Sequence, residues 1–122
     1  METKETLTKS DIAILAALQE LADHDLAVTA SGLRLVLLGE GQELAEGLSC
    51  YGYYANLATR QFHARIHLLV RHGYIRLRYE EEMRDYALLA TEKAEEARAF
   101  RFKKRAHQAP IPSLMSKKEK SL

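Results

Sequence analysis

Cysteine occurs once in these 122 residues, at Cys50, so an intramolecular disulfide is impossible and a cysteine-rich zinc site is excluded. A reducing compartment suits such a chain. Nothing approaches the roughly eighteen continuous apolar residues of a membrane helix, and Met1-Glu2-Thr3-Lys4-Glu5 lacks the basic start and apolar core of a signal peptide. The expectation is a cytoplasmic protein with no membrane contact. No GxxxxGK(S/T) phosphate loop and no HExxH metal motif occur, and no internal repeat is visible. A further absence is local: from Gly47 through Tyr79, thirty-three residues, there is no aspartate or glutamate.

With 47% apolar and 29% charged residues the chain can bury one core, and its length allows one domain. Eighteen basic against seventeen acidic side chains give a formal charge of +1, so net charge alone predicts neither nucleic-acid nor membrane binding. The distribution is uneven. Residues 60–79 hold five Arg and three His and are followed at once by Glu80, Glu81 and Glu82. Residues 101–122 carry seven basic side chains against one acidic, while residues 1–100 carry eleven against sixteen. A basic tail on an acidic body adds nonspecific nucleic-acid affinity or simply solubility.

From Ser10 the pattern reads as an amphipathic helix, capped by Ser10 or Asp11, with Ile12, Leu15, Leu18 and Leu21 along one stripe and an end near His24-Asp25. Leu33 to Leu38, between Thr29-Ala30-Ser31-Gly32 and Gly39-Glu40-Gly41, reads as a short buried helix. Gly39 to Gly47 is polar and reads as an exposed loop. Thr59 is the expected N-cap of a helix running to about His72 and closed by Gly73. On that helix Phe62, Ile66, Leu69 and Val70 share the core side, and Arg60, Ala64, His67 and Arg71 form a second, basic stripe with a small residue in its middle. Ile75, Leu77 and Tyr79 alternate with Arg76 and Arg78 as in a strand; Glu80 to Met83 form a turn and Arg84 to Leu89 the return strand. Thr91 can cap a last helix from Glu92 to about His107, stopped by Pro110 and Pro112.

Helix, helix, short segment, helix, two-stranded hairpin, helix is the element order of a winged helix-turn-helix, a mostly α fold with a small β-hairpin. The expected organisation is an extension over 1–9, the winged-helix domain over 10–108 and a disordered basic tail over 109–122. In that architecture the third helix is presented outward with the hairpin, the wing, beside it. Acid-free positive charge rewards contact with duplex DNA because neutralised phosphates release counterions. Arg60 and Gln61 stand at the start of the helix for base edges or phosphates, Ala64 allows close approach to a groove, and His67 and Arg71 complete the stripe. Arg65, Arg76 and Arg78 are expected on phosphates, with Arg84 flanking the wing. A solvated basic helix face is the bland alternative.

Other constellations weigh less. His63 and His67 lie at i,i+4 spacing, as metal ligands on a helix do, but no carboxylate stands between Glu46 and Glu80 to complete a site. Cys50 has no base or orienting partner in the pattern and reads as a small buried residue rather than a nucleophile. Tyr51 reads as core packing, while Tyr53 and Tyr54 are open between packing and base stacking. No cofactor and no enzyme activity are expected.

The run LRLVLLGEG, a polar loop, then SCYGYYANLATRQFHARIHLLVRHGYIRLRYEEEMRDYALLATEKAEEA resembles the RQC domain, the winged-helix module C-terminal to the catalytic core of RecQ-type DNA helicases. The shared features are an apolar helix ending in a glycine loop, Tyr51-Gly52 before the recognition helix, a basic residue in that helix's first turn, paired apolar residues near its end, and Gly73-Tyr74-Ile75 leading into the wing. They cover about residues 29 to 97. The resemblance implies binding to duplex, forked or otherwise structured DNA in replication or repair, and in parts of that family the wing tip wedges apart a terminal base pair. Two departures limit it: no ATP-driven motor is present, so unwinding by this chain alone is not expected, and a wing tip of three glutamates is repelled by phosphates. The acids either confine DNA to the helix side or mark a wing that faces protein. The expectation is a non-catalytic DNA-binding protein. Alternatives are a dimeric winged-helix regulator, paired through its first and last helices, and a protein-docking adaptor whose partner is a helicase or replication factor.

Overall fold

The computed structural model describes residues 7–103. Its first helix, α1 (Lys9–Asp23), opens at Thr8. The Thr8 hydroxyl accepts from the Asp11 amide at 3.0 Å, and the Asp11 carboxylate accepts from the Thr8 amide at 3.0 Å. This reciprocal pair satisfies two N–H groups that a helix start leaves open. The cap is therefore neither Ser10 nor Asp11, because of the three capping types in Thr-Lys-Ser-Asp only Thr8 has an acid three residues on. Leu7 packs on the core, so the expected extension over 1–9 begins to fold at its end. Leu15, Leu18 and Leu21 are buried and Ile12 is half-buried, and Ala13, Ile14, Ala16 and Ala17 are buried as well. α1 is thus covered around most of its circumference and forms the centre of the core.

Helix α2 (Ala30–Leu38) is capped by Thr29, which accepts from the Gly32 amide at 3.1 Å, and buries Leu33, Val36 and Leu37. It is closed by Gly39 in a left-handed conformation (φ 77°), where a side chain would bring Cβ to 3.1 Å from the Gly52 Cα. That close approach exists because the amides of Gly52 and Tyr54 donate to the carbonyls of Val36 and Leu37, both at 2.9 Å, stitching the segment before the next helix to the end of α2. The acidic loop between them is exposed at Glu40, Glu43 and Leu44, but a 3₁₀ turn at Glu43–Ala45 folds Ala45 into the core.

Helix α3 (Thr59–Arg71) has Ala58 at its N-cap, so Thr59 is its first helical residue rather than its cap. Phe62, Ile66 and Leu69 are buried and Val70 is half-buried, the core side that the spacing predicts. The helix ends at Gly73 (φ 84°): the Gly73 amide donates to Val70 at 3.1 Å and the Tyr74 amide to Leu69 at 2.9 Å, the paired closure that a left-handed glycine permits. Tyr74 and Ile75 are then buried, which aims the chain directly into the hairpin.

Strands β1 (Ile75–Glu80) and β2 (Asp85–Ala90) pair antiparallel, with Leu77 opposite Leu88 and Tyr79 opposite Tyr86. Glu80 thus belongs to β1, and the turn extends to Arg84, whose φ of 53° lets its amide reach the Glu80 carbonyl at 2.9 Å. β2 is anchored by Ala87 and Leu88, and the Leu88 amide donates to Val28 in the α1–α2 connection at 2.9 Å.

The expected α-helix from Glu92 is instead a 3₁₀ segment, Glu92–Ala99, interrupted at Ala94 and followed by extended backbone at Phe100. Thr91 does cap it, accepting from the Lys93 amide at 3.2 Å. The reason lies in the apolar spacing: Ala94 and Ala97, three apart, are the buried positions, and a three-residue repeat suits 3₁₀ geometry. Buried Gln19 of α1 donates to the Ala94 carbonyl at 3.0 Å where the ladder breaks. Phe100 and Phe102 then stack edge-on around Tyr53. The expected end of that helix near His107, and the tail over 109–122, lie outside the described residues. No helix among the described residues is long and apolar enough to cross a membrane.

Candidate functional site

Burying one side of α3 fixes what the other side shows. Arg60, Gln61, Ala64, His67 and Arg71 are all exposed, so the structure gathers these five predicted residues on the solvent side of one helix. Arg71 stands in the last turn of α3, where the helix dipole favours a cation.

Arg65, expected on phosphate, pairs with a carboxylate of α1. Its Nε donates to Asp11 Oδ1 at 3.0 Å and one terminal nitrogen to Oδ2, so two of its three nitrogens are engaged by a carboxylate that is 1% exposed. The same carboxylate caps α1. Asp11 therefore locks the start of one helix to the middle of another, and its hydrogen bonds hold the Arg65 guanidinium protonated above its already high ordinary range. No local pattern signals this pair, since its members are 54 residues apart.

The hairpin divides the remaining arginines from α3. Leu77, Tyr86 and Leu88 line a groove of about 400 Å³ with His63, Ile66 and His67. Strand alternation then sends Arg76 and Arg78 to the opposite face of β1, where Arg78 lies beside Asp25 and Leu26 at the end of α1 and pairs with Glu80 two residues on. Arg84 sits in the turn with Glu81 and Glu82, all exposed. The site is thus a basic helix face beside a groove with an apolar floor, with acid at the far tip. A basic residue that the sequence pattern does not single out also belongs to this end: Lys93 donates to the His72 carbonyl at 2.6 Å, on the C-terminal turn of α3, and stands 4.6 Å from the Tyr74 ring centroid.

His63 is half-buried at the groove wall, edge-on to Phe62, and His67 is exposed. Among the described residues no three His, Cys, Asp or Glu side chains converge as metal ligands. Cys50 is fully buried, and its thiol is pushed up to about 12, by burial first and by the Glu20 carboxylate second. Glu20 accepts from the Ser49 and Cys50 amides at 2.9 and 3.1 Å, so it holds this turn against α1. Tyr51 is half-buried and donates to the Gly41 carbonyl at 3.0 Å; partial burial and then Glu46, Glu40 and Glu43 raise its phenol above the ordinary value. Tyr53 contacts Tyr54, Phe100 and Phe102 edge-on.

Compared with known proteins, the chain matches no family model, no curated protein and no solved structure.

Proposed function

We propose that this is a winged-helix protein that binds duplex or forked DNA without catalysing a reaction, as the resemblance to the RQC module implies. The observation that supports it most is the exposed stripe Arg60, Gln61, Ala64, His67 and Arg71 on α3, set in thirty-three residues without an acid. α3 is the recognition helix and the hairpin is the wing. Arg60 and Gln61 meet base edges or phosphates at the helix start, Ala64 admits the groove wall, and Arg71 binds phosphate at the helix end. Arg65 serves by fixing the angle of α3 on α1 through Asp11, a positioning role. Arg76 and Arg78 contribute positive potential from the far face of the wing. Glu80, Glu81 and Glu82 keep the backbone of the nucleic acid on the α3 side of the wing.

Fluorescence anisotropy on blunt duplex, forked duplex and single-stranded oligonucleotides of one sequence, over a salt series, tests this reading. Binding with a steep loss on added salt, and preference for the fork or duplex end, is the expected result. Absence of binding to all three at low salt overturns it. A protein-docking adaptor then becomes the better reading, favoured by the half-exposed Leu77, Tyr79 and Tyr86 on the groove side of the wing.

A further inference from the structure

β1 has an open edge, and two hydrogen bonds fix which of its groups face outward. The Leu88 amide donates away from β1, to Val28, so the Leu77–Leu88 pair is one of those that exchange no ladder bonds. The Thr91 amide donates to the Tyr74 carbonyl at 2.9 Å, one step beyond the Ile75–Ala90 pair, which sets the same phase. The N–H and C=O of Leu77 and Tyr79 therefore point away from β2. Among the described residues no backbone group pairs with them. Leu77 is 44% exposed and Tyr79 54%, and Tyr79 is extended by an edge-on contact to Tyr86 with ring centroids 5.3 Å apart. An unpaired edge carrying exposed apolar side chains is a template for another strand.

The sequence of the edge selects the occupant. Antiparallel pairing through outward-facing groups requires odd residues opposite odd ones. Centring on Leu77 sets Arg76 against Arg78 twice. Centring on Arg78 sets Arg76 against Glu80 twice and Leu77 against Tyr79 twice, and every residue from 76 to 80 is paired. Arg78 then meets its own copy on the axis, and the Glu80 carboxylate already bound to each Arg78 offsets that repulsion. The charges lie on one face of the joined sheet and the apolar side chains on the other.

We infer that a second copy of this chain pairs with β1 along its free edge, antiparallel about a two-fold axis at Arg78, joining the two hairpins into a four-stranded sheet. Such an interface is isologous: each Arg76 meets the other copy's Glu80. It differs from a dimer through the first and last helices, and it does not depend on the DNA-binding reading.

The test is sedimentation equilibrium of the full chain from micromolar to millimolar concentration, on the wild type, Arg76→Glu, Glu80→Arg, and the two combined. The expected result is a wild-type monomer–dimer equilibrium, monomers for each single variant, and recovery of the dimer in the combined variant, where both ion pairs are restored with their signs exchanged and the carboxylate introduced at position 76, two residues from Arg78 on the same face, replaces Glu80 in offsetting the Arg78 contact. Leu77→Pro supplies a second arm: it removes an outward N–H that β2 does not use, and circular dichroism shows whether the fold persists. Its expected outcome is a folded monomer. Amide exchange at Leu77 and Tyr79 slows as wild-type concentration rises. A wild type that stays monomeric to millimolar concentration overturns the inference. So does a dimer that both single charge variants retain.

Discussion

Helices α1 and α3 are of similar length, 15 and 13 residues, yet one is covered on most of its circumference and the other presents an open face. The difference is in composition. α1 offers Ala, Ile and Leu in nearly every direction and takes its few polar contacts inward, as Asp11 and Gln19 do. α3 turns Phe62, Ile66 and Leu69 to the core and leaves Arg60, His67 and Arg71 to solvent. The first carries the core and the second an exposed basic face, and among the described residues Asp11–Arg65 links the two by charge. Substitutions should therefore separate the two cleanly.

The largest expected effect is on the buried side. Leu15→Ala, at a side chain with no exposed surface, costs about 2–5 kcal/mol, measured by urea unfolding. On the open side, Arg60→Ala with Arg71→Ala leaves the unfolding free energy from the same urea measurement within about 0.5 kcal/mol of wild type. That pair lowers duplex affinity by roughly 100-fold and flattens the salt slope by about 2, read by anisotropy. Unchanged affinity would remove this face from the account.

Asp11→Ala tests the link. It removes a helix cap and leaves Arg65 without its carboxylate, costing about 1–3 kcal/mol; the ion-pair share is modest because the Arg65 side chain is 40% exposed. Its effect on duplex affinity is smaller than that of the Arg60 and Arg71 pair, because Asp11 touches no exposed position of the stripe. The last effect is a pH dependence. The Cys50 thiol lies near 9.0 ordinarily and at about 12 in the fold, so its contribution to stability is complete below pH 9 and falls as pH rises from there towards 12. The loss of stability between pH 8 and pH 10.5 is accordingly smaller in Cys50→Ala than in the wild type, by urea titration at both values.

Periodicity made the helices and the hairpin legible, and the two faces of α3 with them, because a 3.6-residue repeat and a two-residue repeat leave direct marks on the chain. Cap positions were less legible. Thr8, Ser10 and Asp11 all have capping side chains, and the choice among them depends on which acid lies three residues on. The last segment misled for another reason: acids at its start and bases at its end suit an α-helix, but two alanines three apart, docked on α1 and Gln19, suit a 3₁₀ turn. Long-range pairing was not legible at all. Arg65 and Arg71 look alike in the sequence, and only the burial of Asp11 assigns one to the scaffold and leaves the other in solvent. In the same way, alternation along β1 showed that Arg76 and Arg78 share a face, but which face looks toward α3 is known only once Leu77 and Leu88 are seen to line one groove with Ile66.

Amide chemical-shift mapping of the full chain, titrated with a short duplex at low salt, examines the central claim most directly. The account predicts perturbations concentrated at Arg60, Gln61, Ala64, His67 and Arg71, with weaker ones in β1 and none at Glu40, Glu43 and Glu46. Perturbations confined to the acidic loop or to the Tyr53–Phe100 side, or no perturbation at all, would contradict it.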